Sequence, residues 1–254
     1  MKIEPKAWIR IAIYYSIAIA LSFLFRLELF DWQGKWTLPY GLTTLLRSLL
    51  EASGPFLGAL LVLTIAKKKS QITLCGTQVI KSSLMIALPI LLFTVFGANN
   101  NLNLNRHYYG FIIGLSITLY GVMEEYGWRG FLQNELIELK PFQKSIIIGV
   151  LWYVWHLTFL SKETDVVNEL KFLGILVFAS WGIGAIAEKT KSIAASACFH
   201  ILGNIISFSP LISDAFDNQT QYIIFVICLG IWFIMVNTWD KKINFFNKNE
   251  SSQN

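Results

Sequence analysis

Long apolar runs separated by short polar segments dominate the sequence. A helix needs about 20 residues to cross the hydrocarbon core of a bilayer. Eight runs come close to this length, at residues 8–25, 40–66, 82–98, 108–123, 145–160, 170–187, 193–208 and 221–239. The pattern predicts an all-α polytopic membrane protein, a bundle of about eight transmembrane helices.

Composition supports this prediction and excludes other classes. The chain is 54% hydrophobic and 15% charged, whereas soluble domains carry about 25% charged residues. A net charge of +5 would be compatible with nucleic-acid binding, but the basic residues form short clusters between apolar runs. This distribution is typical of topology signals in membrane proteins. The lipid bilayer is therefore an expected partner, and nucleic acid is not.

The placement of the basic residues also predicts an orientation. If the N-terminus is cytoplasmic, 15 of the 21 Lys and Arg residues fall in cytoplasmic segments, including Lys67–Lys69, and 5 fall on the other side. The positive-inside rule then favours a multi-pass protein of the cell membrane with both termini in the cytoplasm. The fourth run ends near Glu124 on the Lys-rich side, so a site there is expected in the cytoplasmic half.

Polar residues inside apolar runs are candidates for function, because a charge at membrane depth costs about 2.5–3.5 kcal/mol on insertion scales. They are Arg47, Glu51, Glu124, Glu125, Arg129, His156, His200 and Asn204. Glu125 and Arg129 are four residues apart and are predicted to pair on one helix face. Glu124 then points elsewhere. A carboxylate in that position suits a general base.

Two other pairs share a helix face by the same spacing. His200 and Asn204 lie one turn apart in the seventh run. A further polar residue, His156, is expected well inside the fifth run. Arg47 and Glu51 lie one turn apart in the second run. This last pair is either a structural ion pair or a substrate contact, in which Arg47 meets a terminal carboxylate.

Three motifs stand in order along the chain: Glu124-Glu125 with Arg129, Trp152 with His156, and His200 with Asn204. In this, the sequence resembles the CPBP family of intramembrane proteases, which includes CAAX prenyl endopeptidases and bacteriocin-processing or immunity proteins. The family usually has Phe where Trp152 stands. The resemblance covers about residues 110–210.

The resemblance divides one membrane domain into three parts. Residues 1–107 would form the first three helices, 108–210 the conserved catalytic region with helices four to seven, and 211–254 the last helix and a polar cytoplasmic tail.

The resemblance implies an endopeptidase that cleaves membrane-associated peptides or protein tails. Glu124, helped by His156, would activate a water molecule, and His200 and Asn204 would stabilise the oxyanion. Glu125 and Arg129 would form an ion pair that fixes the end of their helix. The same residues allow a metal version, in which Glu124, His156 and His200 bind Zn²⁺. No cofactor is favoured, because the His-Glu-x-x-His pattern of zinc proteases is absent.

Other functions remain as alternatives. A non-catalytic bacteriocin self-immunity protein or membrane scaffold of the same family tends to lose active-site residues, which this chain keeps. A transporter or channel would show paired repeats with broken spans in both halves, and the sequence shows neither. The short chain resembles bacterial members, for which bacteriocin leader peptides or other membrane-associated peptides are the expected substrates. The sequence carries no signal of oligomeric state.

Overall fold

The structure is a computed structural model that describes residues 4–26, 38, 41–160 and 165–241. The polar tail lies outside the described residues, and so do five basic residues that entered the orientation count, namely Lys2, Lys35, Lys162, Lys242 and Lys248. The described residues contain no strand, only one isolated β-bridge between Thr73 and Ser192. The predicted all-α fold is confirmed.

Each predicted apolar run contains a helix. The α-helices of the described residues are α1 (Pro5–Arg26), α2 (Leu42–Ile65), α3 (Val79–Phe96), α4 (Arg106–Glu125), α5 (Pro141–His156), α6 (Val166–Thr190), α7 (Ile193–Gly203), α8 (Pro210–Ser213) and α9 (Asn218–Asn237). Two π-helical segments, Tyr126–Gln133 and Asn204–Phe208, follow α4 and α7 directly.

Within the described ranges, five helices are long and apolar enough to cross a membrane: α1, α2, α3, α6 and α9. The helix α7 is a shorter apolar element, and α5 has only 16 residues. The helix α4 begins at Arg106 and ends with two glutamates. A polytopic helical bundle is therefore confirmed, whereas eight complete crossings stay a prediction.

As predicted, α4 ends next to Glu124, at Glu125, but the helical path of the fourth run does not stop there. It continues through the first π-helical segment. There Gly127 contacts α1 and α2 so closely that an added Cβ atom would lie 2.6 Å from both Tyr14 Oη and Pro55 Cβ. This contact holds the continuing helix inside the bundle, and Glu124 is consequently fully buried.

The fifth helix ends earlier than the apolar run suggests. His156 is the last residue of α5, because Leu157 takes a left-handed conformation with φ of 60°. This conformation is uncommon outside glycine and interrupts the α-helical path. His156 therefore lies at a helix end, and the prediction that it lies well inside the span is wrong.

The helix α4 is central to the bundle and packs against α2, α3 and α7. Small residues allow this close packing, as is typical of membrane helices. An added Cβ on Gly110 would lie 2.1 Å from the carbonyl oxygen of Phe93, and one on Gly121 would lie 2.7 Å from Ile201. The end of α4 is thereby brought directly against α7.

A buried carboxylate ties the first helices to the end of the helix that begins with α4. The side chain of Glu135 has no solvent exposure and accepts hydrogen bonds from Arg10 Nη2 at 2.6 Å and Lys68 Nζ at 2.8 Å. Arg10 belongs to α1, and Lys68 to the connection between α2 and α3. Two cations on one carboxylate compensate its desolvation.

A buried lysine joins α3 to the end of α9. Lys81 is 3% exposed, and its Nζ donates to the carbonyl oxygens of Thr238, Trp239 and Lys241, at 3.0 Å and 2.8 Å for the last two. These carbonyls follow the last turn of α9, where a cation both hydrogen-bonds and meets the negative end of the helix dipole.

We expect Lys81→Met to lower the free energy of unfolding by about 2 kcal/mol, because a hydrogen bond to a charged group contributes about 1.5–3 kcal/mol. Thermal unfolding of the purified protein in detergent micelles measures the change. The control is Lys69→Met, which removes an exposed lysine. Equal melting temperatures for the two variants would contradict the proposed role of Lys81.

Candidate active site

Two adjacent carboxylates at the end of α4 lie in the centre of the bundle. Glu124 and Glu125 both have no solvent exposure. Adjacent residues of a helix point in directions about 100° apart, and the structure gives the two side chains different partners. The two side chains thus have different partners, whereas their separate roles stay a prediction.

Glu125 is the residue that joins α4 to α7. Its Oε1 accepts a hydrogen bond from Arg129 Nη1 at 3.0 Å and lies 2.7 Å from Nδ1 of His200. The pairing with Arg129 is confirmed. The contact with His200 was not predicted, since these residues are 75 positions apart in the chain. Arg129 also lies over the ring of Trp152, 5.1 Å from its centroid, which adds a cation–π contact.

Glu124 is held by two tryptophans. Its Oε2 accepts hydrogen bonds from Trp152 Nε1 at 3.0 Å and from Trp128 Nε1 at 3.3 Å. The Trp128 contact was missed, although its spacing of four residues from Glu124 was a usable signal. The role of Trp152 was also missed, because it depends on how α5 packs against α4. The indoles fix the position of this carboxylate oxygen.

His200 lies between the two carboxylates. Its Nε2 is 4.0 Å from Glu124 Oε2, a separation that lets one water molecule hydrogen-bond both atoms at about 2.8 Å. An ionised Glu125 can only accept, so the contact assigns a proton to Nδ1. The Nε2 of a neutral ring then accepts, and it donates only when the imidazole is protonated.

A cavity of about 580 Å³ adjoins these groups. Four residues that the sequence singled out line it together: Trp152, His156, His200 and Asn204. The imidazole of His156 lies among aromatic rings, with centroids 5.1 Å from those of Trp155 and Phe172. Much of the remaining wall is apolar, from Phe172, Ile175, Leu176, Ala179, Ile183 and Phe199.

The cavity extends towards the end of the bundle where α5 ends and α6 begins, since Thr158 and Asn168 line it. The Lys67–Lys69 turn, between α2 and α3, lies at the opposite end. The sequence placed the site at the lysine-rich end because it took Glu124 for a helix terminus. The helical path runs on to Gln133, so Glu124 lies inside the bundle, and the half of the bilayer that holds the site stays a prediction.

Arg47 and Glu51 line a second cavity of about 450 Å³. Tyr120 and Asn204 belong to the walls of both cavities, so this second space adjoins the first. The prediction that Arg47 and Glu51 share one helix face agrees with this position. Their mutual ion pair stays a prediction.

The three residues that the sequence allows as zinc ligands are not assembled as a metal site among the described residues. Nowhere in the part of the chain that the structure describes do three His, Cys, Asp or Glu side chains come together as metal ligands. Glu124 Oε2 instead accepts from two indole N–H groups. Glu124, His156 and His200 thus do not fit a zinc ion in this arrangement.

Residues 107–206, which contain all three motifs, match the model of a family described as Type II CAAX prenyl endopeptidase Rce1-like. A curated relative, CAAX prenyl protease 2 of Methanococcus maripaludis, is 27% identical over 146 residues. These similarities support membership of this chain in the CPBP family. The aligned part is 52% of this chain, and the chain spans about half the length of the curated relative, 51%. No solved structure matches.

The matched segment contains the carboxylate pair, both tryptophans that hold Glu124, and His200. Arg47 and Glu51 precede it. The second cavity therefore combines residues from inside and outside the segment that the family model describes.

Proposed function

We propose that this protein is a membrane-embedded, CAAX-protease-like endopeptidase that cleaves the tails of membrane-associated peptides or proteins. The observation that carries the proposal is the position of Glu124 Oε2, 4.0 Å from His200 Nε2, with His200 on the wall of a cavity between membrane helices. A carboxylate and an imidazole that converge beside a cavity can hold and deprotonate one water molecule.

The reaction follows from this geometry. A water molecule bound by Glu124 and His200 transfers a proton to the Glu124 carboxylate as its oxygen attacks the peptide carbonyl. The tetrahedral intermediate collapses with cleavage of the C–N bond, and Glu124 returns the proton to the leaving amine. A carboxylic acid and an amine are the products. The indole N–H groups of Trp128 and Trp152 keep the carboxylate aimed at the water.

Negative charge that develops on the carbonyl oxygen needs donors. The side-chain amide of Asn204 supplies an N–H group on the cavity wall, and a protonated His200 supplies another. Each such donor contributes about 2.7–4 kcal/mol to transition-state stabilisation in known enzymes. Glu125 supports this role, because its contact with Nδ1 orients the imidazole and stabilises the protonated ring.

The test is cleavage of a fluorogenic peptide that ends in a prenylated CAAX tail, the substrate class in the name of the relative CAAX prenyl protease 2, by the purified protein in detergent micelles. We expect hydrolysis at a rate that a strong chelator leaves unchanged, because the side chains form no three-ligand metal site among the described residues. A zinc protease acting on the same peptide is the positive control for the chelator.

Loss of hydrolysis in chelator, with recovery on adding Zn²⁺, would contradict the metal-independent mechanism. Absence of cleavage of any membrane-associated tail peptide would contradict the peptidase proposal. That result would favour the non-catalytic immunity or scaffold alternative.

A further inference from the structure

The second cavity carries a charge that the proposed reaction does not use. Arg47 is exposed on α2, in its second turn, although α2 is long and apolar enough to cross a membrane. A charged residue in a membrane span is costly and marks a functional site by default. The α2 wall of this cavity is polar throughout, from Thr44, Arg47, Ser48 and Glu51.

The second cavity is continuous with the proposed active site on one side and with the end of the bundle on the other. It shares Tyr120 and Asn204 with the first cavity. It shares Thr44, Arg47 and Leu211 with a third cavity of about 560 Å³, which reaches residues 99–101 between α3 and α4. A peptide that crosses from the first cavity to the second passes Asn204.

The two cavities differ in chemistry, and this sets the direction of a bound peptide. The first cavity has a largely apolar wall and suits apolar groups of the bound peptide. The second offers an arginine, whose planar fork matches a carboxylate bidentately. Its five N–H donors allow it to contact Glu51, one turn away, and a ligand at the same time.

We propose that the second cavity binds the carboxyl-terminal end of the peptide substrate, with Arg47 holding the terminal carboxylate. This inference rests on the proposed endopeptidase function and names its leaving-group side. The scissile bond would lie beside Asn204 and Glu124, between the two cavities, and the leaving fragment, which has the new amine and the substrate's own carboxylate, would occupy the second cavity.

The test compares two peptides with the same prenylated CAAX tail, one ending in a free carboxylate and the other in an amide. Binding is measured by fluorescence anisotropy in the full-length Glu124→Gln background, in which the peptide is not consumed. We expect the free acid to bind about tenfold more tightly or better, as a charge-assisted contact allows. Arg47→Gln is expected to bring the acid-to-amide ratio close to one.

Lys171→Gln is the matched control, because it removes an exposed cation in the first turns of α6, at the same end of the bundle. It is expected to keep the acid-to-amide ratio. An unchanged ratio in Arg47→Gln would overturn the proposal, and so would an equal loss of affinity for both peptides. If Arg47→Gln does not fold, Arg47→Lys serves instead. Its acid-to-amide ratio is expected to lie between the wild-type value and one, and an unchanged ratio would overturn the proposal.

Because binding is measured without turnover, this result is separate from the proposed function. Hydrolysis of acid and amide peptides at equal rates would leave the endopeptidase in place and remove the role of Arg47. A clear preference for the acid in binding, without hydrolysis by the wild-type protein, would support the subsite and contradict the enzyme.

Discussion

Replacing Glu124 by Gln is expected to reduce the rate of peptide hydrolysis by at least about a hundredfold, since a positioned general base contributes about 10²–10⁴. The substitution keeps the size of the side chain and leaves an oxygen that can accept from the indoles of Trp128 and Trp152. It removes the group that takes the proton from water. Initial rates on the prenylated tail peptide measure the loss, and a melting curve should show that the variant is folded.

The control for this experiment is Glu138→Gln, which changes an exposed carboxyl group in the connection between the first π-helical segment and α5. This variant should hydrolyse the peptide at the wild-type rate. Full activity in Glu124→Gln would be incompatible with the proposed mechanism, and the water would have to be activated by another group.

Glu125→Gln should produce the largest loss of stability, about 3–5 kcal/mol, which is the usual cost of breaking a buried ion pair by removing one partner. Arg129 has no solvent exposure, and its Nε and Nη2 have no hydrogen-bond partner among the described residues. The contact with Glu125 at 3.0 Å is therefore the main compensation for its charge. Thermal and denaturant unfolding in micelles measure the change.

The double variant Glu125→Gln/Arg129→Met separates charge from shape. It should recover much of the lost stability, because no uncompensated charge remains in the bundle. It should not recover hydrolysis, because Nδ1 of His200 still lacks its carboxylate. If Glu125→Gln alone melts at the wild-type temperature, the buried pair is not a major source of stability.

The helices could be predicted because the bilayer imposes their length and apolar character on every span. The α2 and α3 helices begin and end within a few residues of the apolar runs at 40–66 and 82–98. Contacts one turn apart were equally accessible, and the Glu125–Arg129 pair follows directly from spacing along a helix. Both kinds of feature are local, so the sequence contains the information needed.

The rest of the site depends on how distant helices pack. The contact between His200 and Glu125 depends on the close approach of α4 to Ile201 in α7, which Gly121 allows. The hydrophobic periodicity of the sequence does not indicate such a contact. The π-helical continuation was also hidden, because an apolar run interrupted by two glutamates and an arginine reads as a helix end. Its cause is tertiary, in the close contact of Gly127 with Tyr14 and Pro55.

Glu135 limits which segments can be exchanged between this protein and its relatives. It lies inside the segment that matches the family model, but Arg10 and Lys68, the two cations that neutralise it, lie outside that segment. A fragment that starts at residue 107 would lack both cations that compensate this carboxylate. The smallest unit that folds independently is thus expected to be larger than the matched segment, and chimaeras with foreign first helices should keep a cation at the positions of Arg10 and Lys68.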